Sequence, residues 1–473
     1  MPAEHDHLEE ERLARVTELI LEAKANAMDE IGHELEGDHT EPVEWPITCT
    51  VGPGLEGAIA CETKIGYVNG AQGMLYYRGY SIFDLCAYSS FEETTYLLLH
   101  GKLPTADELT AFKALLRRNM LIPKTQRLLL TFPIEDMGPM ASLRLGTNLM
   151  RQKQTYRDKD EQYYSNDSIA SDEDSIAMET KPKGEEESRF EFFKRVMKRP
   201  ASVAKNLVSS EEIDSCYKLI GGVPSIAATI GRVREGHIPL EPQADLSLAG
   251  NYLYMLTGRR PSRLEERVMD ISLILHADHG MNASTFASLV VASTLSDIYF
   301  AIGSGIAALS GPLHGGANVD VVEMLKSIGS PKKAAAWYKK ARLEGKKITG
   351  FGHRVYKSYD PRARILGPMA GLLAEENPEL RNLHDTAKSL EKVVIDSLGT
   401  EKGIYPNVDF YSGIVYQSMG IPSDLYTTIF AVSRVAGWTA RVMEYLAHNR
   451  IFRPRAFYTG NLEEKYVPIE QRS

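Results

Sequence analysis

The chain is 473 residues long, 43% hydrophobic and 25% charged, with a formal net charge of −9 at pH 7, the make-up of an enzyme-sized globular protein with room for two or three domains. No apolar run reaches the roughly 18 uninterrupted residues of a membrane-spanning helix; the nearest, Phe286 to Leu309, carries Asp297 near its middle, where a charge is costly in lipid. The four cysteines, Cys49, Cys61, Cys86 and Cys216, are widely spaced with no CxxC pair, which argues against a disulfide framework or a zinc site and for buried small hydrophobes.

The opening MPAEHDHLEEERLARVTELI carries acids where a secretory signal needs a basic start and a transit peptide avoids acids, so the expected location is the cytoplasm. Leu13, Val16, Ile20, Ala27, Ile31 and Leu35 recur at steps of three, four and seven, which predicts an amphipathic helix within residues 1–40 that packs on a neighbour. From Ile47 to Tyr80 the pattern turns to short runs with Gly and β-branched residues, with Asn69-Gly70 as a hairpin signal, and predicts a few short strands. After Ser81 the periodic segments are helical, among them SFEETTYLLLHGKLP, TADELTAFKALLRRNML, RLEERVMDISLILHA and SDLYTTIFAVSRVAGWTARVMEYLAH, so the fold class is mainly α. Phe286 to Leu309 reads as two buried helices packed through small residues. Between Asp158 and Ser188 stand 11 acidic and 3 basic residues, net −8. The acidity of the chain is therefore that of one predicted disordered surface insertion, and neither nucleic acid nor a membrane is expected as a partner.

Three constellations carry chemistry. In LHADHGMNAST, His276, Asp278 and His279 precede a helix that Asn282 or Ser284 is placed to cap. HxDH by itself offers too few ligands for a metal. His276 continues an apolar face with Leu273 and Leu275 and reads as a core histidine, whereas His279 is suited to donate a hydrogen bond to an anionic or carbonyl ligand. In SGPLHGGANVDVVEML, His314 sits on a Gly-rich turn before a helix opening near Asn318; at a helix N-terminus an imidazolium is disfavoured, leaving a neutral donor. In KKITGFGHRVYKSYDPRA a Gly-x-Gly turn ends in His353 amid Lys346, Lys347, Arg354, Lys357 and Arg362. GFGH lacks the third glycine of a dinucleotide fingerprint. The alternatives are a solvated charge run and a loop suited to phosphates and carboxylates. Further on, PNVDFYSG places Asp409 in a turn bounded by Pro and Gly, and IFAVSRVAGW buries Arg434, which calls for a partner carboxylate. Arg453 in RIFRPRAFY is either a surface cation or reaches a neighbouring subunit.

Taken in order, these motifs closely resemble the citrate synthase family, including its methylcitrate synthase relatives. The resemblance runs from GLEGAIACETKIGYVNG through LYYRGYSIFDL and TTYLLLHGKLPT, then from HADHGMNAST through GPLHGGAN, GFGHRVYKSYDPRA, YPNVDFYSG and VSRVAGW. It implies a large helical domain of residues 41–314 and 421–473 and a small domain of residues 315–420 that closes on oxaloacetate. It also implies a homodimer, a place in the tricarboxylic acid cycle, and a catalytic set of His314, His353 and Asp409. By that resemblance Asp409 removes a methyl proton from acetyl-CoA, His314 hydrogen-bonds the thioester oxygen, and His353 polarises the ketone of oxaloacetate. His279, Arg362, Arg434 and Arg453 of the partner subunit hold the oxaloacetate carboxylates. Lys346, Lys347, Ile348, Gly350, Gly352, Arg354 and Lys357 face coenzyme A, and neither a metal nor another cofactor is implied. The chemistry is consistent with this set, because a carboxylate with a pKa near 4 is a weak base for a carbon acid unless the developing oxyanion is stabilised. A 2-methylcitrate synthase using propionyl-CoA keeps the same residues, since one methylene changes binding by about 1–3 kcal/mol. A non-catalytic scaffold relative is a third reading. Position 280 is Gly where the family usually has Glu.

Overall fold

A computed structural model describes residues 2–31, 45, 47–151, 210–399, 402–456, 458–461 and 466–472. The acidic insertion, Leu35 and residues 32–40 of the N-terminal segment lie outside them.

Strands β1 (Gly66–Asn69), β2 (Met74–Tyr77) and β3 (Tyr80–Ser81) form one antiparallel sheet in the order β1-β2-β3. The Asn69-Gly70 signal marks its first hairpin: the Asn69 side-chain oxygen accepts the Gln72 N–H at 3.0 Å, the local bond that favours Asn in turns.

All other long elements are helices, several of them bounded by side-chain caps and glycine stops. α1 (Pro2–Ile31) buries Val16, Ile20, Ala23 and Ala27, an i, i+4, i+7, i+11 stripe. α2 (Ile82–Tyr88) is followed by α3 (Phe91–His100), which starts on the Ser90 cap and ends at Gly101 with φ 75°, a left-handed stop that glycine adopts without a Cβ penalty. α4 (Ala106–Asn119) opens on the capping box Thr105/Glu108. α5 (Pro123–Leu129), α6 (Pro139–Leu149), α7 (Ser210–Arg234) and α8 (Leu248–Thr257) come next. α9 (Arg263–His276) has the capping box Ser262/Glu265.

The segment Phe286 to Leu309 falls into two packed helices, α10 (Ala283–Ser293) and α11 (Ile298–Leu309). Asp297 caps α11 by accepting the Tyr299 N–H at 2.8 Å and pairs with Arg151 at 2.7 Å. Among the described residues no helix is long and apolar enough to cross a membrane. The remaining helices are α12 (Ala317–Ile328), α13 (Ala334–Leu343), α14 (Pro361–Ala374), α15 (Pro378–Val394), α16 (Asp409–Ser418) and α17 (Tyr426–Ala447). All four cysteines are free. Cys86 and Cys216 are buried as expected, but Cys49 is exposed and Cys61 partly so, because both lie in the irregular segment before β1.

α17 is the axis of the core. It packs against α3, α7, α9, α10 and α11 and buries Trp438 and Arg434 completely; each large apolar side chain so buried contributes about 1.5–3 kcal/mol. Helices α12 to α16 pack chiefly on one another. α1 lies across both groups, touching α2, α9 and α14, and is tied by Lys24 to Asp84 at 2.6 Å and by Arg12 to Glu376 at 2.6 Å.

Candidate active site

The floor of the site comes from the end of α9, the start of α10 and the middle of α17; its wall comes from the loop before α14 and the first turn of α16. His276 ends α9 with its Nδ1–H donating to the Ser272 carbonyl at 2.7 Å. Burial pushes its pKa down to about 3, so it is the core histidine its sequence position predicts. Asp278 is held by Arg441 through two bonds of 2.7 Å, which commits that carboxylate to the fold. His279 meets Tyr356 Oη at 3.1 Å and crosses the His353 ring at 5.2 Å between centroids. Burial, and then the Arg362 charge, hold its pKa well below 6.5.

Two imidazoles are fixed as opposite neutral tautomers. His314 Nε2 accepts the backbone N–H of Ser284 at 3.2 Å, with Ser284 Oγ at 2.8 Å. A backbone N–H only donates, so the proton of His314 resides on Nδ1. The helix N-terminus that this ring meets is that of α10, and not that of α12, which follows it in sequence. His353 is the reverse: its Nδ1 accepts the backbone N–H groups of Val355 and Tyr356 at 3.0 and 3.2 Å, which leaves the proton on Nε2. Desolvation pushes both pKa values down to about 4, so each is an uncharged donor at neutral pH.

Asp409 opens α16, its N–H donating to Asn407 Oδ1 at 3.0 Å. Desolvation pushes its carboxyl up to about 6, against the lowering influence of Arg362. Arg362 is buried and clamped by Asp360 through Nε at 3.0 Å and Nη2 at 2.8 Å, a bidentate pair that offsets the desolvation of both. Arg434 departs from expectation. Its Nε donates to the His276 carbonyl at 2.6 Å and its guanidinium lies 4.7 Å over the Phe430 ring, yet no carboxylate pairs with it among the described residues. Its Nη2 is buried without a hydrogen-bond partner, and burial pushes its pKa down to about 10. A buried cation with an unmet donor, beside a second cation and two neutral donors, is an arrangement suited to an anionic group.

The model of the family described as citrate synthase, C-terminal domain, matches residues 54–455. The chain belongs to the citrate synthase family. The citrate synthases of Acidithiobacillus ferridurans and Deinococcus radiodurans are 40% and 39% identical to the chain over 89% of its length, covering 98% and 99% of their own. Among solved structures, citrate synthase from Pyrobaculum aerophilum is 36% identical with a TM-score of 0.74, covering 92% of this chain and all of its own. Citrate synthase from Thermoplasma acidophilum, solved as a ternary complex with carboxymethyl coenzyme A and oxaloacetate, is 33% identical with a TM-score of 0.73, covering 90% of this chain and all of its own.

In this citrate synthase family member the loop assigned to coenzyme A is open to solvent at its cations. Lys346 pairs with Glu344 at 2.7 Å and Arg354 with Glu56 at 3.1 Å, while Lys347 and Lys357 are exposed. Ile348 is buried. Gly350 and Gly352 have φ of 85° and 79°, and a Cβ at Gly350 would strike Phe410 and Val321 at 2.8 Å, so glycine is required there. Arg453 is exposed beyond α17 and makes none of the contacts of the cluster. Gly280 has φ 60° and its N–H donates to Asp278 at 3.3 Å.

Sequence reasoning missed four positioning residues. Asp360 was legible as a cap, because Asp-Pro at a helix start is a familiar signal. Asn407 ties the His353 loop to the Asp409 turn, donating to the Gly352 carbonyl at 2.9 Å while accepting the Asp409 N–H. Tyr356 and Ser284 act on histidines distant in the chain; no local pattern marks Tyr356, and Ser284 was marked only as a cap candidate for α10, a role Asn282 takes by accepting the Thr285 N–H at 3.0 Å.

Proposed function

We propose that the chain condenses acetyl-CoA with oxaloacetate and hydrolyses the resulting citryl-CoA to citrate and free coenzyme A. The observation that carries this is a pair of opposed neutral imidazoles and a carboxylate raised to about 6, set around two neighbouring buried arginines, Arg434 for His314 and Arg362 for His353 and Asp409, which makes that carboxylate a base tuned toward the working pH. Asp409 takes a methyl proton from acetyl-CoA, and the C–H electron pair becomes the enolate double bond. His314 Nδ1–H stabilises the enolate oxygen. The enolate carbon attacks the ketone carbon of oxaloacetate, and the carbonyl pair moves onto an oxygen held by His353 Nε2–H. Water then cleaves the thioester and releases the thiol.

In this reading Arg362, Arg434 and His279 hold the oxaloacetate carboxylates, joined by Arg453 of the partner subunit in a homodimer. The unpartnered Nη2 of Arg434 supports that role. Helices α12 to α16 form the small domain that closes to exclude water, and the Lys346–Gly352 loop with Lys357 faces coenzyme A. The ligands named for the Thermoplasma acidophilum structure fit this division.

The test is thiol release by the purified protein without added metal. Release from acetyl-CoA only in the presence of oxaloacetate is expected. Faster release from propionyl-CoA would move the assignment to a 2-methylcitrate synthase, and no release from either would leave a binding protein.

A further inference from the structure

Behind the catalytic wall lies a buried polar cluster with no part in the chemistry described above. Glu391, on α15, is 6% exposed. Its Oε1 accepts the hydroxyl of Tyr359, and its Oε2 accepts the hydroxyl of Tyr411 at 2.5 Å and the ammonium of Lys388 at 3.1 Å. Tyr359 immediately precedes Asp360, the residue that clamps Arg362, and Tyr411 lies two residues past Asp409. The Arg364 guanidinium covers the Tyr359 ring at 4.4 Å. A Cβ at Gly367 would meet the Tyr411 ring at 3.1 Å, so α14 and α16 meet closely there.

We infer that Glu391 is a positioning residue: its two carboxylate oxygens bridge Tyr359 and Tyr411 and set the spacing between the Asp360–Arg362 clamp and the Asp409 base. This rests on the roles given above to Arg362 and Asp409. The geometry favours it because the loop leading to Arg362 and the loop leading to Asp409 run side by side at an antiparallel bridge between Phe351 and Pro406 and are joined again behind the site at Glu391. Asn407 joins the Asp409 turn to the His353 loop, and the Glu391 bridge joins Asp409 to the arginine that follows that loop. A buried carboxylate with three donors holds its geometry tightly, because each lost donor leaves an unmet charge in a low-dielectric interior. Glu391 does not act by its own field on the base, since burial, Arg362 and Asp360 set the Asp409 carboxyl.

The test uses the full chain and the variants Tyr359→Phe, Tyr411→Phe, their combination, Glu391→Gln and Glu391→Leu, with kcat, oxaloacetate KM and melting temperature measured for each. A displacement of about 1 Å between reacting groups costs about 10²-fold in rate. Each Tyr→Phe variant should therefore lose about tenfold or more in kcat with little change in oxaloacetate KM. The double variant should lose hardly more than either single one, since cutting one strut already frees the bridge. Glu391→Gln, which can still accept from one tyrosine and donate to the other, should recover most of the rate that Glu391→Leu loses. A lowered melting temperature with unchanged kcat in the two Tyr→Phe variants would overturn the inference and leave a merely structural cluster. An inactive wild-type protein would instead overturn the functional reading on which it stands.

Discussion

Two buried arginines of the site are held in opposite ways. On the wall, Arg362 is gripped by both oxygens of Asp360, two residues away. On the floor, Arg434 has one backbone carbonyl and a buried, unpartnered Nη2. The wall is complete in itself, because its loops are tied by side-chain carboxylates and amides. The floor is held by helix packing around α17 and by the Asp278–Arg441 pair, and it supports a charge, that of Arg434, with no carboxylate in ion-pair contact among the described residues.

The largest expected effect concerns Asp409, on the wall. Asp409→Asn should lower kcat by about 10²–10⁴-fold while calorimetry finds oxaloacetate bound as in the wild type, because the proposed ligands of that substrate are other residues. Weakened oxaloacetate binding of the same size would place Asp409 in recognition instead. Asp360→Ala should come next, since removing one partner of a buried pair leaves the other uncompensated, at a cost of about 3–5 kcal/mol in denaturant unfolding.

Arg434→Met should do the reverse and so sharpens the contrast. It removes a buried charge that no carboxylate contacts, so the melting temperature should hold or rise, while oxaloacetate affinity falls about 10- to 100-fold for lost charged hydrogen bonds. Equal destabilisation by both substitutions would erase the distinction between floor and wall.

The pH response should also separate groups by sign. Asp409 must be ionised to act, so kcat should fall about tenfold per pH unit below its pKa of about 6. For stability the linkage runs in two directions. His314 and His353 have folded pKa values of about 4, against an ordinary 6.5; their contribution is full above pH 6.5 and is lost as pH falls toward 4. Asp409, raised from 3.8 to about 6, favours the folded state at low pH, and that contribution is lost as pH rises through 6. The smallest effect is Ser284→Ala. The backbone N–H that fixes His314 survives the change, so kcat should stay within about threefold, less than the 10²- to 10³-fold lost with a whole oxyanion donor.

The floor and the wall also differ in how far the sequence discloses them. Helices α3, α4 and α9 were readable to within a residue or two, because Ser90, Thr105 and Ser262 are caps and Gly101 is a stop, all signals local in sequence. His314, His353 and Asp409 were readable as motifs, and the structure links them through the fields of Arg362 and Arg434. The tautomers were not readable, because each depends on which backbone N–H groups face the ring, and for His314 that group lies 30 residues earlier. Whether the carboxylate that Arg434 calls for belongs to the chain was not readable for a related reason. Charge balance within the sequence does not distinguish a cation paired by the protein from one kept for a ligand. Glu391 carries no signal at all, since a glutamate on an amphipathic helix normally faces water.

The most direct test of the account is nitrogen-15 NMR of the histidine rings in the folded protein. His314 should be protonated only at Nδ1 and His353 only at Nε2, both uncharged from neutral pH down to about 5. The opposite tautomer at either ring, or an imidazolium forming near 6.5, would contradict the mechanism.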